Sequence, residues 1–140
     1  MRILIVDDEP DVLMLCRVNL EHAGHEVAEC ENGTDALARA AEWLPDLIVL
    51  DVMLPGRDGF AVLAELRERP ATRDVPVVML TAKVQREDQI RGWSAGANGY
   101  LTKPFSPIDL SEAIEQIASM SVGERAEHRN RTLDTLSSRP

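Results

Sequence analysis

The sequence contains little cysteine and no long hydrophobic run. Its two cysteines, Cys16 and Cys30, are too few for a disulfide framework, and we predict that both are buried as small apolar side chains. No apolar segment approaches the roughly 20 residues that a membrane-spanning helix requires. The apolar residues after Met1 reach Asp7 and Asp8 too soon for a signal peptide. These absences predict a cytoplasmic protein that does not associate with a membrane.

Positive charge is also scarce. The 140 residues carry 15 basic and 24 acidic side chains, which gives a net charge of −9. Because such a surface repels the phosphate backbone, we expect no direct nucleic-acid binding by this chain. The length and a hydrophobic content of 44% suit a single domain with a full core.

Short apolar segments alternate with helical patterns along residues 1–120. Three unbroken apolar runs are typical of strands covered on both faces, and two weaker segments complete a set of five. These five segments are residues 3–6, 26–30, 47–50, 77–80 and 99–101. An apolar stripe at helical spacing follows each of them. Five β-α repeats predict an α/β fold in three layers, with a parallel sheet between five helices.

Residues 121–140 differ in character from the segment before them. They are polar, contain Gly123 and end in Ser-Ser-Arg-Pro. We therefore predict one folded domain over residues 1–120. The last 20 residues are expected to form a polar linker or disordered tail, with room for one helical turn around Leu133 and Leu136.

Polar residues stand where the predicted strands end. In chain order they are Asp7-Asp8-Glu9, Asp51, Thr81 and Thr102-Lys103-Pro104. Ligands of open parallel sheets bind at the carboxyl ends of the strands, so these side chains are candidates for one site. If strands 1 and 3 are neighbours, the carboxylates converge and need a neutralising partner. A divalent cation such as Mg²⁺ prefers oxygen ligands of this kind.

The same residues have the chemistry for phosphoryl transfer. An ionised aspartate beside Mg²⁺ can act as a nucleophile and form an aspartyl-phosphate. Such transfer depends mainly on positioning and charge neutralisation. Lys103 would neutralise phosphoryl oxygens together with the metal, and the Thr81 hydroxyl could donate a hydrogen bond to another oxygen. Lys103 is one of only two lysines beside 13 arginines, which favours a role for a compact charge.

Each of these residues, taken singly, also fits a structural role. Asp7 and Asp8 are good helix caps, and Asp51 fits a turn after a strand. Thr81 fits a plain strand end, and Lys103 fits an exposed surface position. Only their joint occurrence at one edge of the sheet favours the chemical interpretation.

In these residues the sequence resembles the CheY-like receiver domains of two-component response regulators. The matching motifs are Asp7-Asp8 after strand 1, Asp51 with Pro55 and Gly59 behind it, Thr81-Ala82, Tyr100, and Lys103-Pro104-Phe105. The resemblance covers about residues 1–120, with the motifs in the family's order and spacing. It implies a flavodoxin-like sheet with the strand order 2-1-3-4-5.

The resemblance also implies a role for each matching residue at the site. Asp51 would be the phosphoacceptor, and Lys103 would be the phosphate-binding lysine before a cis Pro104. The metal ligands would be Asp7, Asp8, Asp51 and the backbone carbonyl of Met53. The implied ion is Mg²⁺, with Mn²⁺ as a substitute. Catalysis would be limited to the domain's own phosphorylation and slow autodephosphorylation, so the chain would not be an enzyme in the usual sense.

Thr81 and Tyr100 match the family's switch pair. In the family the hydroxyl residue moves toward the phosphoryl group, and the aromatic ring then rotates inward. This would alter the surface of the fourth helix, fifth strand and fifth helix. The implied partners are a sensor histidine kinase or phosphotransfer protein, a downstream protein or effector domain, and a second copy in a phosphorylation-dependent homodimer.

The residues on that surface depart from one subfamily. Receivers coupled to winged-helix DNA-binding domains usually carry charged pairs there. This sequence keeps Arg91 but has Ser94, Asn98, Gly99 and Ala113 where that subfamily tends to place charges. The departure weakens the case for a charge-paired dimer on this face and for a winged-helix output.

Three other functions fit parts of the pattern. A receiver-like module that acts independently of phosphorylation typically lacks an acid or the lysine, and this sequence keeps both. A phosphohydrolase with an aspartyl nucleophile generally has a second acid two residues later, where this chain has Met53. A nucleotide binder needs a small-residue phosphate loop after strand 1, where residues 7–9 are acidic instead. The phosphorylation-independent module is kept as the alternative.

We predict a long-lived phosphoaspartate. Met53 and Lys83 occupy the two positions that tune hydrolysis in the family, and neither side chain orients a water or accepts its proton. The labelled protein should therefore persist well beyond seconds in Mg²⁺ buffer. Following the decay of the label measures this, and complete loss within a few seconds would refute it.

Overall fold

The computed structural model describes residues 1–82 and 85–138, and its centre is a five-stranded parallel sheet. The strands are β1 (Arg2–Val6), β2 (Glu26–Cys30), β3 (Leu47–Asp51), β4 (Val77–Thr81) and β5 (Gly99–Thr102). Their order in the sheet is β2-β1-β3-β4-β5, and every neighbouring pair is parallel. The predicted flavodoxin-like arrangement is confirmed.

Six helices occur in the described parts of the chain. They are α1 (Pro10–His22), α2 (Gly33–Trp43), α3 (Gly59–Glu68), α4 (Arg86–Ser94), α5 (Pro107–Ala118) and α6 (Val122–Ser137). The expected number of five is therefore wrong by one. None of these helices combines the length and apolar character needed to cross a membrane.

The alternation of side chains along each strand divides the core into two halves. Leu4 and Val6 of β1 belong to a cluster with α2 and α3, whereas Ile3 and Ile5 pack with α1 and α5. Every residue of β3 and β4 is buried, as expected for central strands with helices on both faces. The three predicted layers follow from this pattern.

Helix α6 lies within the segment that was predicted to be a polar linker or disordered tail, so Val122–Ser137 are helical rather than disordered. Ser121 and Glu124 form a reciprocal capping box at its start, a pattern that was readable in the sequence. The His128 ring lies edge-on to the buried Trp93 ring of α4, with centroids 5.6 Å apart. Apolar residues are sparse in α6 and none of its residues is buried. The sequence therefore lacks the periodic apolar stripe from which a helix is usually predicted. The boundary of the folded domain at residue 120 stays a prediction.

The two-sided core predicts a difference between two valines. Val62 of α3 is fully buried, whereas Val18 of α1 is 59% exposed. Val62→Ala should lower the free energy of unfolding by about 2 kcal/mol, because it removes buried carbon and leaves a cavity. Val18→Ala, the same change in a helix, should alter it by less than about 0.5 kcal/mol. Urea denaturation of both variants measures the difference, and equal effects would contradict the assigned core.

Candidate functional site

The pairing of β1 with β3 brings two aspartates together at the carboxyl edge of the sheet. Val6 pairs with Leu50, so Asp7 and Asp51 follow side by side. Both are buried, at 0% and 1% exposure, while Asp8 and Glu9 next to them are exposed. The convergence of carboxylates predicted from the strand ends is present.

The Lys103 ammonium lies at the centre of this acidic group. Its Nζ atom is 2.8 Å from Asp7 Oδ2, 3.0 Å from Glu9 Oε1 and 3.1 Å from Asp51 Oδ2. The peptide bond between Lys103 and Pro104 is cis, as the resemblance implied. One cation thus contacts three carboxylates that come from two different strand ends.

Backbone groups hold the two buried carboxylates from the other side. The Met53 amide donates to Asp51 Oδ1 at 3.0 Å, and the Glu9 amide donates to Asp7 Oδ1 at 2.9 Å. Gly59 permits the chain to fold closely behind Asp51. A Cβ atom at this position would lie 2.2 Å from the Asp51 carbonyl oxygen, so only glycine fits there.

Thr81 and Tyr100 lie on the two strands beyond Asp51. Thr81 is buried at the end of β4, and its carbonyl accepts a hydrogen bond from the Lys103 amide at 2.9 Å. Tyr100 is half-buried in β5 with its ring against α4, where a Cβ on Gly92 would come within 3.1 Å of the ring. Burial, together with the charge of Asp88, raises the pKa of Tyr100 to about 12, so the phenol is neutral. Thr81 and Tyr100, the candidate switch pair, therefore lie between the acidic group and α4.

Charge and burial act in opposite directions at this site. Burial raises the pKa of Asp51, and the charge of Asp7 adds to this, while the Met53 amide and Lys103 act against it. For Lys103, burial alone would lower the pKa, but hydrogen bonding to Asp7 and Glu9 and the charge of Asp51 raise it above its ordinary value. Lys103 is therefore a permanent cation, and the carboxylates around it exceed its charge.

The surplus of carboxylates fits a divalent cation. Asp7, Asp8, Glu9 and Asp51 each offer one oxygen, and these atoms lie within 4.8 Å of one another. Asp7 Oδ2 is buried and lacks a hydrogen bond of good geometry, although Lys103 Nζ is close to it. Such an atom needs a further positive partner. An all-oxygen donor set suits a hard ion such as Mg²⁺.

Most of the residues predicted from the sequence meet in this group. Asp7, Asp8, Asp51 and Lys103 come together, and Met53 contributes the backbone amide just described. The Met53 side chain is 59% exposed beside the site. Lys83, the other residue behind the predicted slow hydrolysis, lies outside the described residues.

Glu9 is a member of the site that the sequence placed among the strand-end candidates but to which it assigned no role. It stands at the start of α1, where an acidic side chain has an ordinary structural explanation. Its contact with Lys103 spans 94 positions along the chain, so only the folded topology reveals it. Its place directly after Asp7-Asp8 was the one available signal.

Comparison with known proteins agrees with this geometry. A family model described as "Response regulator receiver domain" matches residues 3–115. The DNA-binding dual master transcriptional regulator RpaA of Synechocystis is 45% identical over 119 residues, which cover 85% of this chain and 48% of that protein. The phosphate regulon transcriptional regulatory protein PhoB of Escherichia coli is 43% identical over 143 aligned positions, which cover 99% of this chain and 62% of that protein. The chain thus spans about half to three-fifths of the length of these relatives.

Solved structures share the fold. A putative response regulator from Chloroflexus aurantiacus has a TM-score of 0.81 at 39% identity, covering 85% of this chain and 98% of that one. The receiver domain of sensor histidine kinase PA1611 from Pseudomonas aeruginosa has a TM-score of 0.79 at 30% identity, with coverages of 85% and 98%. The latter structure has a magnesium ion coordinated in its active site cleft.

The buried charge of Asp51 predicts a pH-dependent stability difference. Because its pKa is raised above the ordinary 3.8, the folded protein binds this proton more readily than the unfolded chain. Ionisation therefore lowers the free energy of unfolding as pH rises from about 4 toward neutrality. In metal-free buffer at pH 7, Asp51→Asn should be more stable than the unchanged protein, and the gap should narrow as pH falls toward about 4.

Urea denaturation across this pH range measures the effect. Asp58→Asn is the matched control, because Asp58 is exposed and asparagine also caps the start of α3. Added Mg²⁺ should stabilise the unchanged protein more than Asp51→Asn. A variant less stable than the unchanged protein at pH 7 would contradict the assigned cost of the buried charge.

Proposed function

The chain belongs to the response regulator receiver domain family of two-component signalling, and on that basis we propose that Asp51 is its phosphoacceptor. Members of this family signal by phosphorylation and are not enzymes in the usual sense. The observation that carries the proposal is the position of Asp51: a buried carboxylate that closes β3 and contacts both Lys103 and the acidic group.

The transfer itself requires little beyond positioning. An oxygen of the ionised Asp51 carboxylate attacks the phosphorus of the donor, the new O–P bond forms, and the bond between phosphorus and the leaving atom breaks. No general base is needed, because the nucleophile carries no proton. Lys103 supplies a positive charge for the phosphoryl oxygens and remains in reach of Asp7 and Glu9.

The acidic group is the proposed Mg²⁺ site. Asp7, Asp8, Asp51 and the Met53 backbone carbonyl would hold the ion, with Glu9 beside them and Mn²⁺ as a substitute. When bound, the ion neutralises charge on the phosphoryl oxygens. The incompletely satisfied Asp7 Oδ2 atom supports this assignment, and so does the magnesium ion in the related receiver of PA1611.

Thr81 and Tyr100 are the proposed switch pair. Thr81 stands one strand from Asp51, because Asp51 pairs with Leu80. The Tyr100 ring packs against Gly92 of α4, so a change in its position alters the packing of that helix. We therefore assign the output to the surface of α4, β5 and α5. Because α6 contacts α4, a partner that binds α4 also meets α6.

The binding partners of the chain are inferred from this surface and from the related proteins. The phosphoryl donor would be a sensor histidine kinase or phosphotransfer protein in the cytoplasm. The phosphorylated domain would be recognised by a downstream protein or effector domain. RpaA and PhoB are named as transcriptional regulators, which favours an effector that acts on transcription. The surplus of acidic side chains argues against direct DNA contact by residues 1–140 themselves. A homodimer formed on phosphorylation stays a prediction.

Intact mass after incubation with acetyl phosphate tests the proposal. With Mg²⁺ present, the mass should increase by one phosphoryl group, and chelation of the metal should prevent the increase. Asp51→Asn should abolish it, because the amide is not a nucleophile. We expect Asp58→Asn to be labelled like the unchanged protein, since this exposed carboxylate lies outside the acidic group.

Labelling that survives in Asp51→Asn would assign the phosphoacceptor to another residue. Absence of labelling with acetyl phosphate and also with a phosphorylated kinase domain would overturn the proposal. The phosphorylation-independent binding module would then be the better description.

A further inference from the structure

A cavity with the opposite charge lies at the other end of the sheet from Asp51. It has a volume of about 310 Å³ and lies where the segments before β4 and β5 meet the first turns of α6. Its charged lining consists of Arg67, Arg73, Asp74, Arg125 and Arg129. Four guanidinium groups therefore share one cavity with a single carboxylate, in a chain whose net charge is −9.

Arg67 of α3 is held rigidly in the wall of this cavity. It donates to the Gly96 carbonyl at 2.7 and 3.0 Å, to the carbonyls of Val75 and Arg73 at 2.6 and 3.1 Å, and to Asn98 Oδ1 at 2.8 Å. All of these acceptors are neutral, so they occupy the N–H groups of the guanidinium without cancelling its charge. Burial, followed by repulsion from Arg129, lowers the pKa of Arg67 to about 10.

Arg125 and Arg129, the two arginines of α6 that line the cavity, are not neutralised either. Arg125 donates to the carbonyl oxygens of Met120 and Asp74, which are again neutral acceptors. No carboxylate in residues 1–82 and 85–138 lies within 4.0 Å of the Arg129 guanidinium. The Asp74 side chain is 65% exposed and approaches Arg73 only to 3.9 Å. Contacts among the described residues therefore leave the net positive charge of the cavity unneutralised.

We propose that this cavity binds a phosphate-type oxyanion, either free phosphate or the phosphate group of a small organic ester. Arg129 would bind such an anion through its paired N–H donors, whereas Arg67 would attract it by charge alone. A dianion would also relieve the repulsion among arginines in one cavity. The site is separate from Asp51 and requires neither metal nor phosphorylation. It is therefore independent of the proposed function, and either can fail without the other.

Binding would also connect α6 to the rest of the domain. Arg67 belongs to α3, whereas Arg125 and Arg129 belong to α6. An anion between them adds contacts that exist only while α6 is docked, so it stabilises the docked helix. The ligand would thereby act on the helix that contacts α4.

An NMR titration of ¹⁵N-labelled Asp51→Asn protein without Mg²⁺ tests the site. This variant removes the phosphoacceptor, and chloride keeps the ionic strength constant. Inorganic phosphate and ribose 5-phosphate are the two probes. Saturable shifts are expected at the amides of Gly96, Asn98 and Ala126, which line the cavity. Equal affinity for the two probes would show that the phosphate group alone is sufficient for binding. Tighter binding of ribose 5-phosphate would identify an organic phosphate ester as the preferred ligand.

Arg129→Gln in the same background should weaken binding by about tenfold, the loss expected for one hydrogen bond to a charged group. Arg129 makes no hydrogen bond that supports the fold among the described residues, and circular dichroism confirms folding. Arg131→Gln is the control, because it removes the same charge from an exposed position of the same helix. Its affinity should be unchanged.

Three results would overturn the proposal. The first is the absence of saturable shifts with both probes. The second is equal weakening by Arg129→Gln and Arg131→Gln, which would indicate general attraction to a basic helix. The third is a set of shifts confined to Asp8 and Met53, which would place the anion at the other edge of the sheet.

Discussion

The contact of Lys103 with three carboxylates is the interaction on which the site depends. Asp7 and Asp51 are almost fully buried, and a buried carboxylate without a partner costs several kcal/mol. One ammonium cannot balance the four acids that lie together here. The remaining negative charge leaves Asp7 Oδ2 incompletely satisfied, which suits the proposed divalent cation. The fold thus tolerates a local cost at the position where the proposed chemistry needs an unprotonated nucleophile.

The sheet topology brings the carboxylates and Lys103 together without a long loop between a strand and its site residue. Parallel strands end at the same edge, and the reversal of strand order at β1 and β3 leaves a crevice there. β1 brings Asp7, β3 brings Asp51, and β5 brings Lys103 directly after its last residue. β4 lies between β3 and β5 and places Thr81 next to both. A response at Thr81 can therefore reach Tyr100 and α4 through packed neighbours, with no separate transmitting element.

The sequence predicted the parts that depend on short-range patterns. Unbroken apolar runs predicted β1, β3 and β4, and the polar residues at the strand ends pointed to Asp7, Asp51 and, after β5, Lys103. The contact of Glu9 with Lys103 was not predicted because it joins residues far apart in the chain, and an acidic residue before a helix is common. α6 was missed because its contacts with α4 replace the apolar stripe that usually reveals a helix. Its capping box at Ser121 and Glu124 was the readable signal, since capping is local whereas docking is not.

The position of α6 changes how the output surface should be understood. In this chain α4 is covered on one side by Tyr100 of β5, through the gap left by Gly92, and on another by His128 of α6, through Trp93. Displacement of Tyr100 therefore disturbs a helix whose far side is already occupied. A partner must bind α4 and α6 together or displace α6 first. None of the α6 residues is fully buried, so its docking relies on partly buried contacts such as that of His128 with Trp93. On the proposed switch, α6 would therefore belong to the responding surface, since it contacts the helix against which Tyr100 packs.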